Sequence, residues 1–405
     1  MNVNIAVGKA AGTVSAPNSK SMAHRLLICA ALAKGKSIVR GVPECDDVTA
    51  TIECLSRLGA RFVYGDGNTV TVYGADVCNA SPTDVLYCKE SGSTLRFLVP
   101  IGLLCGKNVA FTGAESLFRR PLGAYEDLSV DKGFVFSQDG NSVVLRGPLK
   151  AGEYRISGSV SSQFISGLLF ALPMLDKDSV VNIIPPVVSR PYIELTLQAL
   201  NEFGVEARWI DDHTISVPGG KGFTPTETTV EGDYSGAAFY AALNAVGGEV
   251  NILGLREDSL QGDKIYEKHF ASLCQGIPTI HIGDCPDLGP VLFAVAAAKY
   301  GGVFTGTSRL RFKESDRAAA MAQELAKFGV TVTVHDDSVV VYPADFHAPT
   351  EVLYGHNDHR IVMSLAVLLT LTGGTIEGAE AISKSFPRFF EGLKSLEIEV
   401  TENEN

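Results

Sequence analysis

Asn18-Ser19-Lys20-Ser21-Met22-Ala23-His24-Arg25-Leu26-Leu27-Ile28-Cys29-Ala30-Ala31-Leu32-Ala33 is a short polar tag opening directly onto a run of small and apolar residues. From Met22 to Ala33 the run is apolar on nearly every side, the pattern of a helix buried within a domain rather than laid on its surface. The same construction recurs at Ser91-Gly92-Ser93-Thr94, Ser161-Ser162-Gln163, Asp233-Tyr234-Ser235, Pro286-Asp287 and Asn357-Asp358-His359. Successive tags lie about 70 residues apart, with one gap nearer 54, and self-similarity at a fixed period marks repeated structural units. A helix start leaves N–H groups unpaired and carries the positive end of the dipole, so six such starts predict a site for phosphates or carboxylates.

A second pattern fills the gaps between tags: an amphipathic helix ending in Gly, a strand, a polar turn and another strand. Ile52 to Gly59 with Ala60 to Tyr73, Leu195 to Gly204 with Val205 to Val217, and Met321 to Gly329 with Val330 to Tyr342 show it clearly. Leu122 to Gly147 is a weaker copy, and those near Leu273 and Leu393 are weaker still. Asp66-Gly67, Asp139-Gly140, Asp211-Asp212 and Asp336-Asp337 fit the turns between the paired strands. Six units group as three plus three, with breaks near Pro17 and near Val230-Glu231. The expected domains are therefore 18–230 and a discontinuous 1–17 plus 231–405, the first strand returning to the second domain.

With 405 residues and 45% hydrophobic content the chain has ample core for two or three domains. A net charge of −12 argues against nucleic-acid and anionic-membrane partners. Small anions stay open, because Lys20, Arg25, Arg96 and Arg360 sit beside tags. Met1 to Pro17 does not read as a signal peptide, and no apolar run reaches the roughly 18 residues of a membrane span, so a soluble cytoplasmic protein is expected. The eight cysteines form no CxxC pair and read as reduced, structural thiols. His356-Asn357-Asp358-His359 reads as a helix cap rather than a metal pair, since no acid or Cys cluster completes a site. No nucleotide motif is present, and neither metal nor cofactor is expected.

Leu310-Arg311-Phe312-Lys313-Glu314-Ser315-Asp316-Arg317 packs five charges into one stretch. It reads either as a capped, solvated helix start or as a cationic face, Lys313 and Arg317 being four apart on a helix beginning here beside Glu314. Phe118-Arg119-Arg120-Pro121 presents guanidinium groups suited to bidentate binding of carboxylate or phosphate, or else is a surface loop. Lys384, in Ser383-Lys384-Ser385-Phe386-Pro387, is a weaker candidate.

In order along the chain, these segments resemble the 5-enolpyruvylshikimate-3-phosphate synthases. The resemblance is carried by Asn18-Ser19-Lys20-Ser21 with Arg25, Ser91-Gly92-Ser93-Thr94-Leu95-Arg96, Arg120-Pro121, Ser161-Ser162-Gln163-Phe164 and Ser189-Arg190-Pro191-Tyr192. It continues through Glu231-Gly232-Asp233, Lys313-Glu314-Ser315-Asp316-Arg317, Asn357-Asp358-His359-Arg360 and Lys384-Ser385-Phe386-Pro387. It implies an α/β fold of two similar domains, each an inside-out α/β barrel of three repeated units with buried parallel helices. It implies transfer of the enolpyruvyl group of phosphoenolpyruvate to the 5-hydroxyl of shikimate 3-phosphate, with a monomer as the working form; in relatives the herbicide glyphosate competes at the position of Gly92.

The resemblance assigns shikimate 3-phosphate to Lys20, Ser21, Arg25, Ser161, Ser162, Gln163, Ser189, Asp287 and Lys313. Phosphoenolpyruvate falls to Lys20, Gly92, Arg120, Gln163, Arg317, Arg360 and Lys384. Asp287 is implied as the base for the 5-hydroxyl and Glu314 as the acid that protonates the methylene carbon, with Lys20 assisting. Glu90 and Arg309 depart from the family pattern, each standing where Asn is usual. Two alternatives stand beside this reading. One is the related transferase acting on UDP-N-acetylglucosamine, whose reactive Cys is missing from Ala114 to Leu122. The other is a catalytically silent anion-binding scaffold, which would need neither acid nor base. Uniting the two anionic substrates brings like charges together at about 3 kcal/mol per pair at 5 Å and an effective dielectric near 20, which is why Lys and Arg have to converge.

Overall fold

Ser19, Ser91, Ser161, Asp233 and Asp358 each accept a hydrogen bond from a first-turn N–H of the helix they open, in the computed structural model, which describes residues 1–82 and 84–403. The helices are Lys20–Leu32, Gly92–Leu104, Ser162–Ala171, Tyr234–Ala245 and His359–Thr372. The fifth tag differs. Pro286–Leu288 forms a 3-10 turn leading into Gly289–Ala298, and neither piece has a side-chain cap.

The chain divides into two compact units, Asn18–Glu231 and Met1–Pro17 with Gly232–Asn405. In the first, every residue from Met22 to Leu32 is buried, as are all from Thr94 to Leu104. An all-round apolar helix is stable only when covered on every side, and sheets supply the cover. Glu227–Thr229 runs parallel to Lys36–Arg40, which pairs antiparallel with Val70–Tyr73, itself antiparallel to Arg61–Tyr64. Leu86–Tyr87, Asn108–Thr112, Ser142–Arg146 and Val135–Asp139 repeat that order, and so do Glu153–Ser157, Ser179–Ile184, Thr214–Val217 and Arg208–Trp209.

The other unit uses the same plan. Thr279–His281, Gly302–Thr305, Ser338–Val341 and Val332–Val334 form one sheet. Leu353–Tyr354, Gly374–Glu377, Asn2–Ile5 and Val400–Asn403 form a second, with Asn2–Ile5 held between two antiparallel partners. The sixth copy is reduced to the parallel pair Ala11–Ser15 and Glu249–Leu253. The α/β class and the helix-cored, sheet-clad arrangement therefore hold in each unit. Among the described residues no helix is long and apolar enough to cross a membrane, and all eight cysteines are free thiols.

Gly59, Gly204 and Gly329 follow the amphipathic helices Asp46–Arg57, Arg190–Glu202 and Arg317–Ala326 with φ of 106°, 80° and 81°, backbone that side chains resist. One expectation is corrected. Lys313 and Arg317 do not share a helix face: Ser308–Phe312 is a 3-10 turn, Lys313 is extended, and the helix begins only at Arg317 after the Asp316 cap. A capping Asp stops the helix from propagating backwards, because its side chain replaces the bond that another turn would make.

Candidate active site

In the Asn18–Glu231 unit, Lys20 is the first residue of its helix, and its Nζ donates to Asp47 Oδ2 at 2.7 Å. Arg25, just over one turn on, is buried. Its Nε donates to Thr196 Oγ1 at 2.9 Å, Nη1 to the Ser21 carbonyl at 2.6 Å and Nη2 to the Tyr192 carbonyl at 2.9 Å. Burial brings this guanidinium down to about 10. Ser162 and Ser189 are buried at helix starts, Ser189 in a left-handed conformation at φ 56°.

His24 lies between Lys20 and Arg25 on the same helix, and its Nδ1 is 2.7 Å from Thr51 Oγ1, which is 2.7 Å from Thr94 Oγ1. Thr94 Oγ1 donates to Ser91 Oγ at 2.7 Å, so the chain of hydroxyls ties the first tagged helix to the cap of the second. Burial, followed by the charges of Lys20 and Arg25, holds His24 well below its ordinary value. Folded His24 is thus neutral while unfolded His24 takes up a proton below about pH 6.5, and stability falls as pH drops through that range. The expected slope from this residue is at most about 1.4 kcal/mol per pH unit. Urea unfolding at pH 7 and 5.5 measures it, and a His24→Asn variant with the same slope as the parent would refute it.

Around the second tag the cations converge. A Cβ placed on Gly92 would lie 3.0 Å from Arg120 Nη1, 3.3 Å from Arg96 Nη1 and 3.7 Å from Gln163 Oε1, so a bare backbone is what lets these groups approach. Arg96 Nη1 donates to Gln163 Oε1 at 2.7 Å, and Gln163 Nε2 donates to Ser93 Oγ at 2.9 Å. The two arginines of the Arg-Arg-Pro segment part company. Arg119 is exposed and pairs with Glu115, whereas Arg120 is 7% exposed and its Nε and Nη2 have no hydrogen-bond partner among the described residues. A buried charged donor without a partner is costly.

The other unit gathers a second cluster on Asp287. Arg317 Nη1 donates to Asp287 Oδ1 at 2.8 Å, Lys313 Nζ lies 3.1 Å from the same oxygen, and Arg360 Nη2 donates to Oδ2 at 3.1 Å. This explains the fifth tag: its carboxylate is engaged by three cations instead of capping its own helix. Burial pushes Asp287 up, but Arg360, Lys313 and Arg317 together outweigh it and hold the carboxyl well below the usual range. Arg317 also donates through Nε to Asp358 Oδ2 at 2.8 Å and through Nη2 to Glu314 Oε2 at 2.7 Å. With its side chain 1% exposed, it is the hub joining three carboxylates. Lys384 Nζ donates to the Asn357 carbonyl at 2.6 Å. Arg309 donates through Nη2 to the Gly283 carbonyl.

Within each unit, then, the expected residues assemble: Lys20, Ser21 and Arg25, and Gly92, Arg120 and Gln163, in one; Asp287, Lys313, Glu314, Arg317 and Arg360 in the other. Arg96 and Asp358 stand in the motifs read from the sequence but receive no ligand role there, and Asp47 and Asp263, which the structure places against Lys20 and beside Asp287, are not singled out there. Asp263 is buried, accepts from Ser235 Oγ, and is pushed up by burial and by Asp287. Asp47 and Asp358 look like ordinary first-turn or capping acids, and nothing in Gln261-Gly262-Asp263 signals a buried carboxylate.

The family model for EPSP synthase (3-phosphoshikimate 1-carboxyvinyltransferase) matches residues 6–393. A 3-phosphoshikimate 1-carboxyvinyltransferase of Clostridium perfringens is 39% identical over 417 residues, covering 97% of this chain and 98% of the relative. One of Clostridium kluyveri is 36% identical over 427 residues, covering 99% and 98%. Among solved structures, an EPSP synthase from Acinetobacter baumannii aligns with a TM-score of 0.78 at 25% identity, covering 99% of this chain and 100% of that one. The enolpyruvyl transferase NikO from Streptomyces tendae shares the fold, with a TM-score of 0.78 at 15% identity over 99% and 98% of the two chains.

Proposed function

The chain belongs to the EPSP synthase family and transfers the enolpyruvyl group of phosphoenolpyruvate to shikimate 3-phosphate in aromatic amino-acid biosynthesis, and from that premise we propose how its residues divide the work. Shikimate 3-phosphate engages Lys20, Ser21, Arg25, Ser161, Ser162, Gln163, Ser189, Asp287 and Lys313. Phosphoenolpyruvate engages Lys20, Gly92, Arg120, Gln163, Arg317, Arg360 and Lys384. Asp287 takes the 5-hydroxyl proton and Glu314 protonates the methylene carbon, with Lys20 assisting, as the hydroxyl oxygen bonds the enol carbon; the tetrahedral intermediate then loses phosphate together with a proton of the new methyl group, which restores the double bond. Arg25 commits three of its five guanidinium N–H groups to protein acceptors and Arg317 four, so each can meet a ligand with a remaining N–H as well as through its charge. The family resemblance supports a cytoplasmic monomer, which size-exclusion chromatography tests.

The observation that carries the donor assignment is Arg120, which lies beside the open backbone of Gly92 and whose buried Nε and Nη2 have no acceptor among the described residues. Arg120→Ala is expected to raise KM for phosphoenolpyruvate about 30-fold or more, with KM for shikimate 3-phosphate little changed. An unchanged KM for the donor would remove the assignment. Phosphate release from phosphoenolpyruvate with each acceptor separates the two transferase readings. Turnover only with UDP-N-acetylglucosamine would overturn this one, and the lack of Cys in Ala114 to Leu122 supports the shikimate acceptor.

A further inference from the structure

His356 and Asn357 are consecutive non-glycine residues in left-handed backbone, at φ 50° and 52°. They stand immediately before Asp358, which caps the His359–Thr372 helix, and close to Arg360. Such conformations persist only where the surroundings hold them. Here the holding group is Glu324, whose side chain is 0% exposed on the Arg317–Ala326 helix. Its Oε1 is 2.8 Å from His356 Nε2, and its Oε2 accepts from Lys327 Nζ at 2.8 Å and from the Tyr354 N–H at 2.9 Å. The His356 ring packs edge-on against Tyr354 with centroids 5.0 Å apart. One carboxylate thus fastens the backbone at 354 and the ring at 356, and the Asp358 N–H closes the turn onto the Gly355 carbonyl at 2.9 Å.

The far side of this turn faces the chemistry. The Asn357 carbonyl receives Lys384 Nζ at 2.6 Å, and Asp358 receives Arg317 Nε at 2.8 Å. Arg317 and Glu324 are two turns apart on one face of the same helix, so that face grips the turn at Asp358 and again at His356. No reacting atom is touched by either Glu324 or His356 in the assignment above. We propose that Glu324 and His356 are positioning residues for the donor side of the site. They fix the left-handed turn that aims the Asn357 carbonyl, with its Lys384 partner, and Arg360. This inference rests on the reading that places phosphoenolpyruvate at Lys384 and Arg360.

Steady-state kinetics for both substrates, with thermal melting, tests it in Glu324→Gln, His356→Leu, His356→Gln and Lys384→Met. Glu324→Gln and His356→Leu are expected to raise KM for phosphoenolpyruvate about tenfold while KM for shikimate 3-phosphate stays within about twofold. His356→Gln keeps a donor of similar reach and is expected to recover most of the loss. The Glu324→Gln, His356→Leu double variant is expected to be no worse than the poorer single, because both remove the same bond. A purely structural role would weaken both substrates alike in step with the melting temperature; that pattern, or parent-like donor KM in folded variants, overturns the inference. Should Glu324→Gln fail to fold, the Leu and Gln variants at 356 decide alone. Lys384→Met separates the two levels. If it loses donor affinity while the 324 and 356 variants do not, this inference falls alone; if it keeps parent affinity, the donor assignment falls and takes the inference with it.

Discussion

Asp287→Asn is expected to lower kcat by about 10²- to 10⁴-fold with less than a tenfold change in KM for shikimate 3-phosphate. The substitution keeps the shape and one acceptor oxygen but removes the group assigned to take the 5-hydroxyl proton. The geometry adds a condition. A carboxylate held well below its usual range by Arg360, Lys313 and Arg317 is a weak base, and it strengthens only if those cations are drawn off it. In the proposed assignment the anionic groups of the two substrates compete for Lys313 and Arg360, so binding itself would activate Asp287. The pH dependence of kcat/KM reports the free enzyme and that of kcat reports the complex. The acid limb is therefore expected at higher pH in kcat than in kcat/KM. Near-parent turnover in Asp287→Asn would dismiss the base assignment, and coincident limbs in the parent would dismiss activation by binding.

Arg317→Met is expected to cost about 3–5 kcal/mol of stability and to abolish turnover, the largest effect of any single substitution considered. Methionine fills much of the volume but leaves Asp287, Glu314 and Asp358 without the cation that joins them, and an uncompensated buried charge is far more costly than a pair is favourable. At roughly 2–4 °C per kcal/mol for a unit of this size, melting should drop by about 6–20 °C. The pH dependence has a definite sign. In the parent, Asp287 is depressed, so its stabilising contribution is complete above the ordinary carboxylate range and is lost as pH falls below it. Without Arg317 that depression shrinks, and the gap between variant and parent should narrow on acidification below about pH 4. Calorimetry at pH 7.5 and at about pH 3, below the ordinary carboxylate range, checks both statements; equal melting temperatures at pH 7.5 would refute the hub.

Much of this architecture was legible because the tags encode it locally. Ser19, Ser91, Ser161, Asp233 and Asp358 are side-chain caps, and a cap followed by an all-apolar run is a statement about a buried helix that needs no tertiary information. The Gly residues closing the amphipathic helices and the Asp-rich turns were readable for the same reason. What could not be read depends on distant partners. Asp287 resembles the other tags, yet its carboxylate goes to Lys313, Arg317 and Arg360, a choice visible only once the chain is folded. The i,i+4 spacing of Lys313 and Arg317 suggested a helix face, but the Asp316 cap moved the helix start, and both residues reach Asp287 from different local structures. Arg119 and Arg120 are adjacent in sequence and opposite in environment, a distinction set by burial rather than by residue type.

The placement of Asn2–Ile5 in the middle of its sheet bears on how the protein is made. Its partners, Gly374–Glu377 and Val400–Asn403, are translated only after the whole Asn18–Glu231 segment, whereas every strand of that unit finds its neighbours within that span. Asn2–Ile5 therefore leaves the ribosome long before its partners and waits with both edges unpaired, a state in which exposed backbone invites mispairing. Its brevity, four residues, limits the template it offers to other nascent chains.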